Sequence, residues 1–271
     1  MTMLEIAEIV KNTCLAHGVK PLFAFKTGSK AYGTDNEKSD TDVTFVFYRN
    51  PIDYFSITTV KDEIKLPDVD IKGWDLRKFL GIISKGGWNT FEMLNAPYWS
   101  ATDSADRLLW DIRKTTGVNF PTVTIPTTLL HCSEAALNRL GRDTNDVATI
   151  IKEFISYARL TYSALYIQEY GKYPPLNLPA LVNDVTIYLE DEGVTHPNAL
   201  SAYILFAVGL RKDMLEDRVD FSLFSEQLMT LQQLNAKLLS NFKGKEDKEI
   251  KENLSLDREK ILQNFFSNFL K

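Results

Sequence analysis

Asp40 and Asp42 stand two residues apart where a polar loop runs into the apolar stretch Val43 to Tyr48. Residues i and i+2 of a strand point to one face, so the pair would present two carboxylates side by side. Adjacent anions repel unless a cation lies between them or one of them is protonated. Hard oxygen donors of this kind suit Mg²⁺, which takes one or two protein carboxylates together with substrate phosphates. A further acid on a neighbouring strand would complete a two-metal site. In Leu66-Pro67-Asp68-Val69-Asp70-Ile71, Val69 and Ile71 share one face and Asp68 and Asp70 the other, and either acid could serve.

Upstream of the pair, Gly28-Ser29 follows the strand-like run Leu22 to Lys26. Taken singly, Asp-x-Asp and Gly-Ser are ordinary turn chemistry. The conjunction is not: an apolar strand, Gly-Ser, ten intervening residues, Asp-x-Asp opening a second apolar strand, and a later acid beside a third.

That conjunction resembles the DNA polymerase β-type nucleotidyltransferase superfamily, whose pattern is Gly-Gly or Gly-Ser, a spacer near this length, then Asp-x-Asp. The chain is more closely similar to the family of nucleotidyltransferases named for an RNA repair pathway. There the third carboxylate precedes a Gly-Trp-Asp-Leu-Arg-Lys run, which looks like Asp70-Ile71-Lys72-Gly73-Trp74-Asp75-Leu76-Arg77-Lys78 here, so the match selects Asp70 over Asp68. The likeness continues through Phe91 to Pro97, then thins to Lys152–Arg159 and Pro174-Pro175, spanning Phe23 to Leu181. Around Arg159 it departs from the family pattern, which has more aromatics and a Pro after the Arg where this chain has Leu160.

The resemblance implies an α+β fold: a polymerase-β-like catalytic domain with a mixed sheet over residues 1–120, then an all-helical domain over 121–271. It implies a two-metal transfer in which Asp40 and Asp42 hold Mg²⁺, or Mn²⁺ in its place, on a nucleoside triphosphate. Asp70 would share the second ion, which lowers the pKa of an attacking hydroxyl. In-line attack on the α-phosphorus then expels pyrophosphate. Gly28 would permit close backbone approach, and the Ser29 hydroxyl and loop amides would donate to phosphate oxygens. Lys30 is a further phosphate contact on this reading. ATP is the expected nucleotide and an RNA 3′ end the expected acceptor. The alternatives are nucleotidylation of a protein or small-molecule hydroxyl, and a non-catalytic nucleotide- or RNA-binding relative.

These residues need elements to place them. Leu76, Phe79, Leu80 and Ile83 follow helical spacing, with Asp75 as N-cap and Trp74 and Phe79 as its hydrophobic staple. Asn89 and Glu92 read as the capping arrangement of a short helix. Amphipathic helices are expected near 127–140, 145–170, 178–192, 197–216, 222–242 and 247–268. In the second of these, Ile151, Phe154, Ile155, Ala158, Tyr162 and Leu165 make the apolar face. Lys152, Ser156, Arg159, Ser163 and Tyr166 make another. Such a stripe is ordinarily solvated, but if the helical lobe closes over a nucleotide, Lys152 and Arg159 would clamp the triphosphate. The Thr- and Pro-rich segment Thr115 to Pro126 is the expected domain boundary, and the charged run Lys243 to Lys251 a solvated turn. His17, His131 and His196 have no partner spacing that suggests catalysis.

Composition bounds the rest. A chain of 271 residues, 44% hydrophobic and 25% charged, can bury a core without cross-links. With 31 basic and 36 acidic residues it carries a net charge of −5, so it is no generic polyanion binder and would need a local basic surface to meet nucleic acid. Setting aside Asp40, Asp42 and Asp70 leaves the first 120 residues with 15 basic against 13 acidic side chains, a balance that can accept a metal-bound triphosphate. Cys14 and Cys132 suggest neither a disulfide framework nor a zinc site, and a reducing cytoplasm is the expectation. The N-terminal stretch carries acids and no basic region before an apolar one, so it reads as a helix and not as a secretory signal. The uncharged segments Thr115–Ser133 and Ala199–Leu210 are respectively too interrupted and too short for a lipid-exposed span.

Overall fold

The β-branched and aromatic runs of the first half assemble into one sheet. In the computed structural model, β1 (Lys20–Thr27), β2 (Asp42–Tyr48), β3 (Glu63–Lys65), β4 (Ile71–Asp75) and β5 (Tyr98–Ser100) lie in the order β3-β4-β2-β1-β5. β2 and β4 are parallel and the other pairs antiparallel, so the sheet is mixed and the fold α+β, as expected. The structure describes residues 1–55, 57, 60–67, 70–118, 120–140, 146–191, 197–216, 220–242, 259–260, 262–264 and 266–268. Asp68, His196 and the charged run Lys243 to Lys251 lie outside them, as does most of the helix expected over 247–268.

Both faces of the sheet are covered, which is why β1 and β2 read as nearly continuous apolar runs instead of alternating ones. On one face Ala24, Val43, Phe45, Phe47, Ile64 and Ile71 pack with Ile6, Val10 and Cys14 of α1 (Met3–Ala16). On the other, the rings of Phe23 and Phe25 meet Phe79 of α3 (Leu76–Ser84). A capping box between Thr2 and Glu5 starts α1. Asp75 caps α3 as expected, its carboxylate accepting from the Arg77 N–H at 2.9 Å and from the Tyr54 hydroxyl at 3.0 Å. The Asn89–Glu92 expectation fails. The chain turns at Gly86, whose φ is +72°, and α4 (Trp88–Asn95) begins behind Gly87, so Asn89 is already inside the helix and Glu92 is buried.

Between α4 and the helical half, α5 (Asp103–Val118) packs on β1 and β5 through Ala105, Leu108, Leu109 and Ile112. Neither it nor the short edge strand β5 was expected, although those four residues carry the i, i+3, i+4, i+7 pattern. The helices α6 (Thr124–Leu140), α7 (Val147–Tyr170), α8 (Leu178–Asp191), α9 (Pro197–Lys212) and α10 (Ser225–Phe242) follow the expected pattern closely. The Thr- and Pro-rich segment interrupts regular structure less than expected: α5 runs on to Val118 and α6 starts at Thr124. Pro126 fits inside α6 because the first four N–H groups of a helix have no intrahelical acceptor to lose.

The chain sorts into two compact units, one of Met1–Ala31, Asp40–Asn119 and the described part of Glu249–Lys271, the other of Tyr32–Ser39 and Phe120–Lys248. No helix among the described residues is long and apolar enough to cross a membrane.

Candidate active site

Backbone pairing brings the two halves of the motif together. Thr27 at the end of β1 is the register partner of Asp42 at the start of β2, so the chain leaves the sheet and returns to it at one point. Gly28 follows at φ +72°, in the left-handed region, and a Cβ built there would lie 1.8 Å from Oδ2 of Asp42. Conformation and space both demand glycine. Ser29 opens α2 (Ser29–Tyr32), a single turn in which the Ala31 N–H donates to the Gly28 carbonyl at 2.9 Å. Lys30 is half-buried, not a solvated surface lysine, and its Nζ donates to Oγ1 of Thr41 at 2.7 Å. The residue between the two motif acids is thereby tied to the Gly-Ser turn.

The parallel pairing of β2 with β4 does the same for the third acid. Val43 pairs with Ile71, and the Val43 N–H donates to the Asp70 carbonyl at 2.9 Å. Asp42, the first residue of β2, and Asp70, just before β4, therefore stand in matching register, about one strand spacing (~4.8 Å) apart at the backbone. Asp40 and Asp70 are exposed and Asp42 half-buried. Among the described residues no three His, Cys, Asp or Glu side chains are gathered to hold a metal ion. The sheet sets the three acids' backbone positions; it does not draw their side chains into one cage.

The helical unit holds the spacer of the motif. The Arg159 guanidinium of α7 lies 3.9 Å from the Tyr32 ring centroid, a cation–π stack. Gly33, at φ +69°, lies against the side-chain amide of Asn177, which a Cβ there would have to displace. Nε of Arg211, at the end of α9, donates to the carbonyl of the buried Thr34 at 2.7 Å. The stripe that includes Lys152 and Arg159 is thus not a solvated face throughout. Lys152 is exposed and Arg159 half-buried, while Ser163 and Tyr166 are buried. No motif announced Asn177 or Arg211, since their partners lie more than a hundred residues away in the chain.

A mixed sheet whose Gly-Ser turn abuts an Asp-x-Asp acid is the arrangement of a polymerase β-like nucleotidyltransferase. The chain belongs to the RNA repair pathway DNA polymerase beta family, whose model matches residues 3–200, a wider span than the motifs alone disclose. It is 28% identical over 186 residues to the uncharacterized protein YcgL of Bacillus subtilis (strain 168), covering 67% of this chain and 69% of that one. Among solved structures it matches a nucleotidyltransferase-like protein from Exiguobacterium sibiricum 255-15 at 13% identity and a TM-score of 0.31, over 98% of this chain and 92% of that one.

Proposed function

We propose that the protein is a Mg²⁺-dependent enzyme that moves a nucleoside monophosphate from a nucleoside triphosphate, ATP foremost, to the hydroxyl of an RNA 3′ end. The observation that carries this is the seating of Gly28 against the Asp42 carboxylate, with Lys30 bonded to Thr41 between the two motif acids. The bare glycine lets the turn close against the acid, and the Ser29 hydroxyl and neighbouring amides would donate to a triphosphate there while Lys30 offsets its charge. Asp40, Asp42 and Asp70 supply only hard oxygen donors and stand where β2 and β4 begin, a set that fits Mg²⁺ or Mn²⁺. When bound, such ions neutralise the triphosphate and acidify the attacking hydroxyl. Lys152 and Arg159 are assigned as further nucleotide contacts on the family likeness around them. In the transfer, the bond from the acceptor oxygen to the α-phosphorus forms, the α–β anhydride bond breaks, pyrophosphate leaves and the hydroxyl proton passes to solvent. Residues 1–120 form the catalytic domain on this reading and 121–271 the helical one.

The RNA acceptor follows from the family's description, and the cytoplasm is the compartment that goes with it. The test is a screen of labelled nucleoside triphosphates with Mg²⁺ against separate RNA, protein and small-molecule pools, following pyrophosphate and the α-phosphate. Label in RNA supports the proposal. Label only in protein or in a small molecule overturns the acceptor. Pyrophosphate release that is unchanged in Asp40→Asn and Asp42→Asn overturns the site.

A further inference from the structure

Of the four tryptophans, Trp110 alone is exposed, at 61%, and it projects from α5 away from the buried stripe Ala105, Leu108, Leu109 and Ile112. A tryptophan left in water forgoes the burial it would gain in a core, so its surroundings bear on what covers it. Arg107, three residues before, and Lys114, four after, share its stripe, and both are exposed. The Lys114 ammonium lies 5.1 Å from the Trp110 ring centroid. Beside it, the Arg113 guanidinium lies 4.4 Å from the ring centroid of Tyr98 on the edge strand β5, with its Nε bonded to the Leu94 carbonyl at 2.6 Å. Charge is segregated along the helix. Asp103 and Asp106 occupy the first turn, where Asp106 accepts from the Tyr98 hydroxyl at 2.9 Å, whereas Arg107 to Lys114 holds three cations against Asp111. In a chain of net charge −5, this is a local basic surface with two aromatic rings in it.

Sheet register fixes where the Tyr98 edge of this surface stands. Tyr98 pairs with Phe25, Phe25 pairs with Thr44, and Thr27 pairs with Asp42, so Tyr98 and Asp42 project from one face of the sheet. Two strand spacings across and two residues along separate them by about 12 Å at the backbone. That is about the length of three to four stacked nucleotides.

We infer that the Trp110, Arg107 and Lys114 face of α5, with Tyr98 and Arg113 beside it, is a stacking platform for single-stranded RNA, holding an acceptor strand a few nucleotides short of its reacting end. An aromatic face takes any unpaired base, and flanking cations neutralise phosphates, whereas a paired base offers no free face. The acceptor role rests on the RNA acceptor proposed above; the binding role does not.

The test titrates the full-length chain with a fluorescein-labelled adenylate dodecamer, followed by anisotropy at several salt concentrations. Trp110→Ala is expected to weaken binding by about 5- to 100-fold, with Trp110→Phe recovering most of the loss. Arg107→Gln with Lys114→Gln is expected to flatten the slope of log K against log salt by about 1.4, two phosphate contacts on a single strand. The same sequence as a duplex is expected to bind more weakly and to be insensitive to Trp110→Ala. Equal dodecamer affinity in Trp110→Ala and wild type, no binding at all, or duplex preference overturns the platform, as does a protein partner competing the surface while RNA does not. Asp42→Asn separates the two ideas: it is expected to bind the dodecamer like wild type while losing pyrophosphate release. Trp110-dependent binding without any transfer to RNA leaves the platform standing and removes its acceptor role. Transfer to RNA with equal kcat/KM in wild type and Trp110→Ala removes the platform's acceptor role and leaves the transfer.

Discussion

In the sheet-containing unit the charged groups of interest are placed by backbone pairing; in the helical unit they are placed by the rings and carbonyls they touch. Asp42 and Asp70 take their positions from strand register, which holds whatever side chain is present. Arg159 takes its position from the Tyr32 ring, and Arg211 from the Thr34 carbonyl. Register tolerates substitution at the residue itself and breaks when the backbone cannot follow. Placement by contact is lost as soon as either partner changes.

The largest expected effect is on the residue the sheet places best. Asp42→Asn keeps the shape and removes the charge, and pyrophosphate release should fall by more than the ~10- to 100-fold typical of outer partners of a metal site, with the thermal midpoint nearly unchanged. Gly28→Ala should cost nearly as much turnover for the opposite reason: the acid stays, but the new Cβ occupies its place. Left-handed backbone adds about 1–2 kcal/mol of instability, readable by urea denaturation. Gly33→Ala sharpens the contrast. It shares the positive φ and so the stability cost, but its Cβ meets the movable end of Asn177 and not a motif acid, so turnover should fall less.

Smaller effects probe the helical unit. Arg159→Met removes a stack worth about 0.5–1 kcal/mol or more and should raise the KM for the nucleotide more than Lys152→Met, since only Arg159 is held in place. A larger rise for Lys152→Met would show that a fixed position matters less there than reach. The smallest effect is a pH dependence at the far end of β4. Burial pushes the Asp75 carboxyl above the usual range, outweighing the hydrogen bonds from Arg77 and Tyr54 that pull it down. A raised folded pKa favours the protonated folded form, so this contribution is full below the usual carboxylate range and is lost as pH rises through the folded pKa. Relative to Asp75→Asn, which keeps a capping oxygen, wild type should therefore lose stability as pH rises above the usual carboxylate range, measured as urea midpoints. Asp75→Ala should cost about 1 kcal/mol through the lost cap.

Much of the first unit is legible in the sequence. β1, β2 and α3 follow from runs and periods a few residues long, and the Asp75 cap from its place before Leu76. The short edge strand β5 carries no period to read over three residues. α5 did carry one, in Ala105, Leu108, Leu109 and Ile112, and its interspersed charges obscured it. The capping role expected of Asn89 failed because a glycine turn sets the helix start earlier than side-chain type suggests.

Residue type and spacing along the chain suffice to state the chemistry: Gly-Ser, ten residues, Asp-x-Asp and a later acid, with helices to follow. Folding in three dimensions decided that Gly28 meets the Asp42 carboxylate, that Lys30 bonds Thr41, that Tyr32–Ser39 joins the helical unit, and that Trp110 faces water beside two cations. The reason is physical. A local pattern encodes which side of an element is apolar, whereas the neighbour that side or loop meets depends on every other element competing for the same contact.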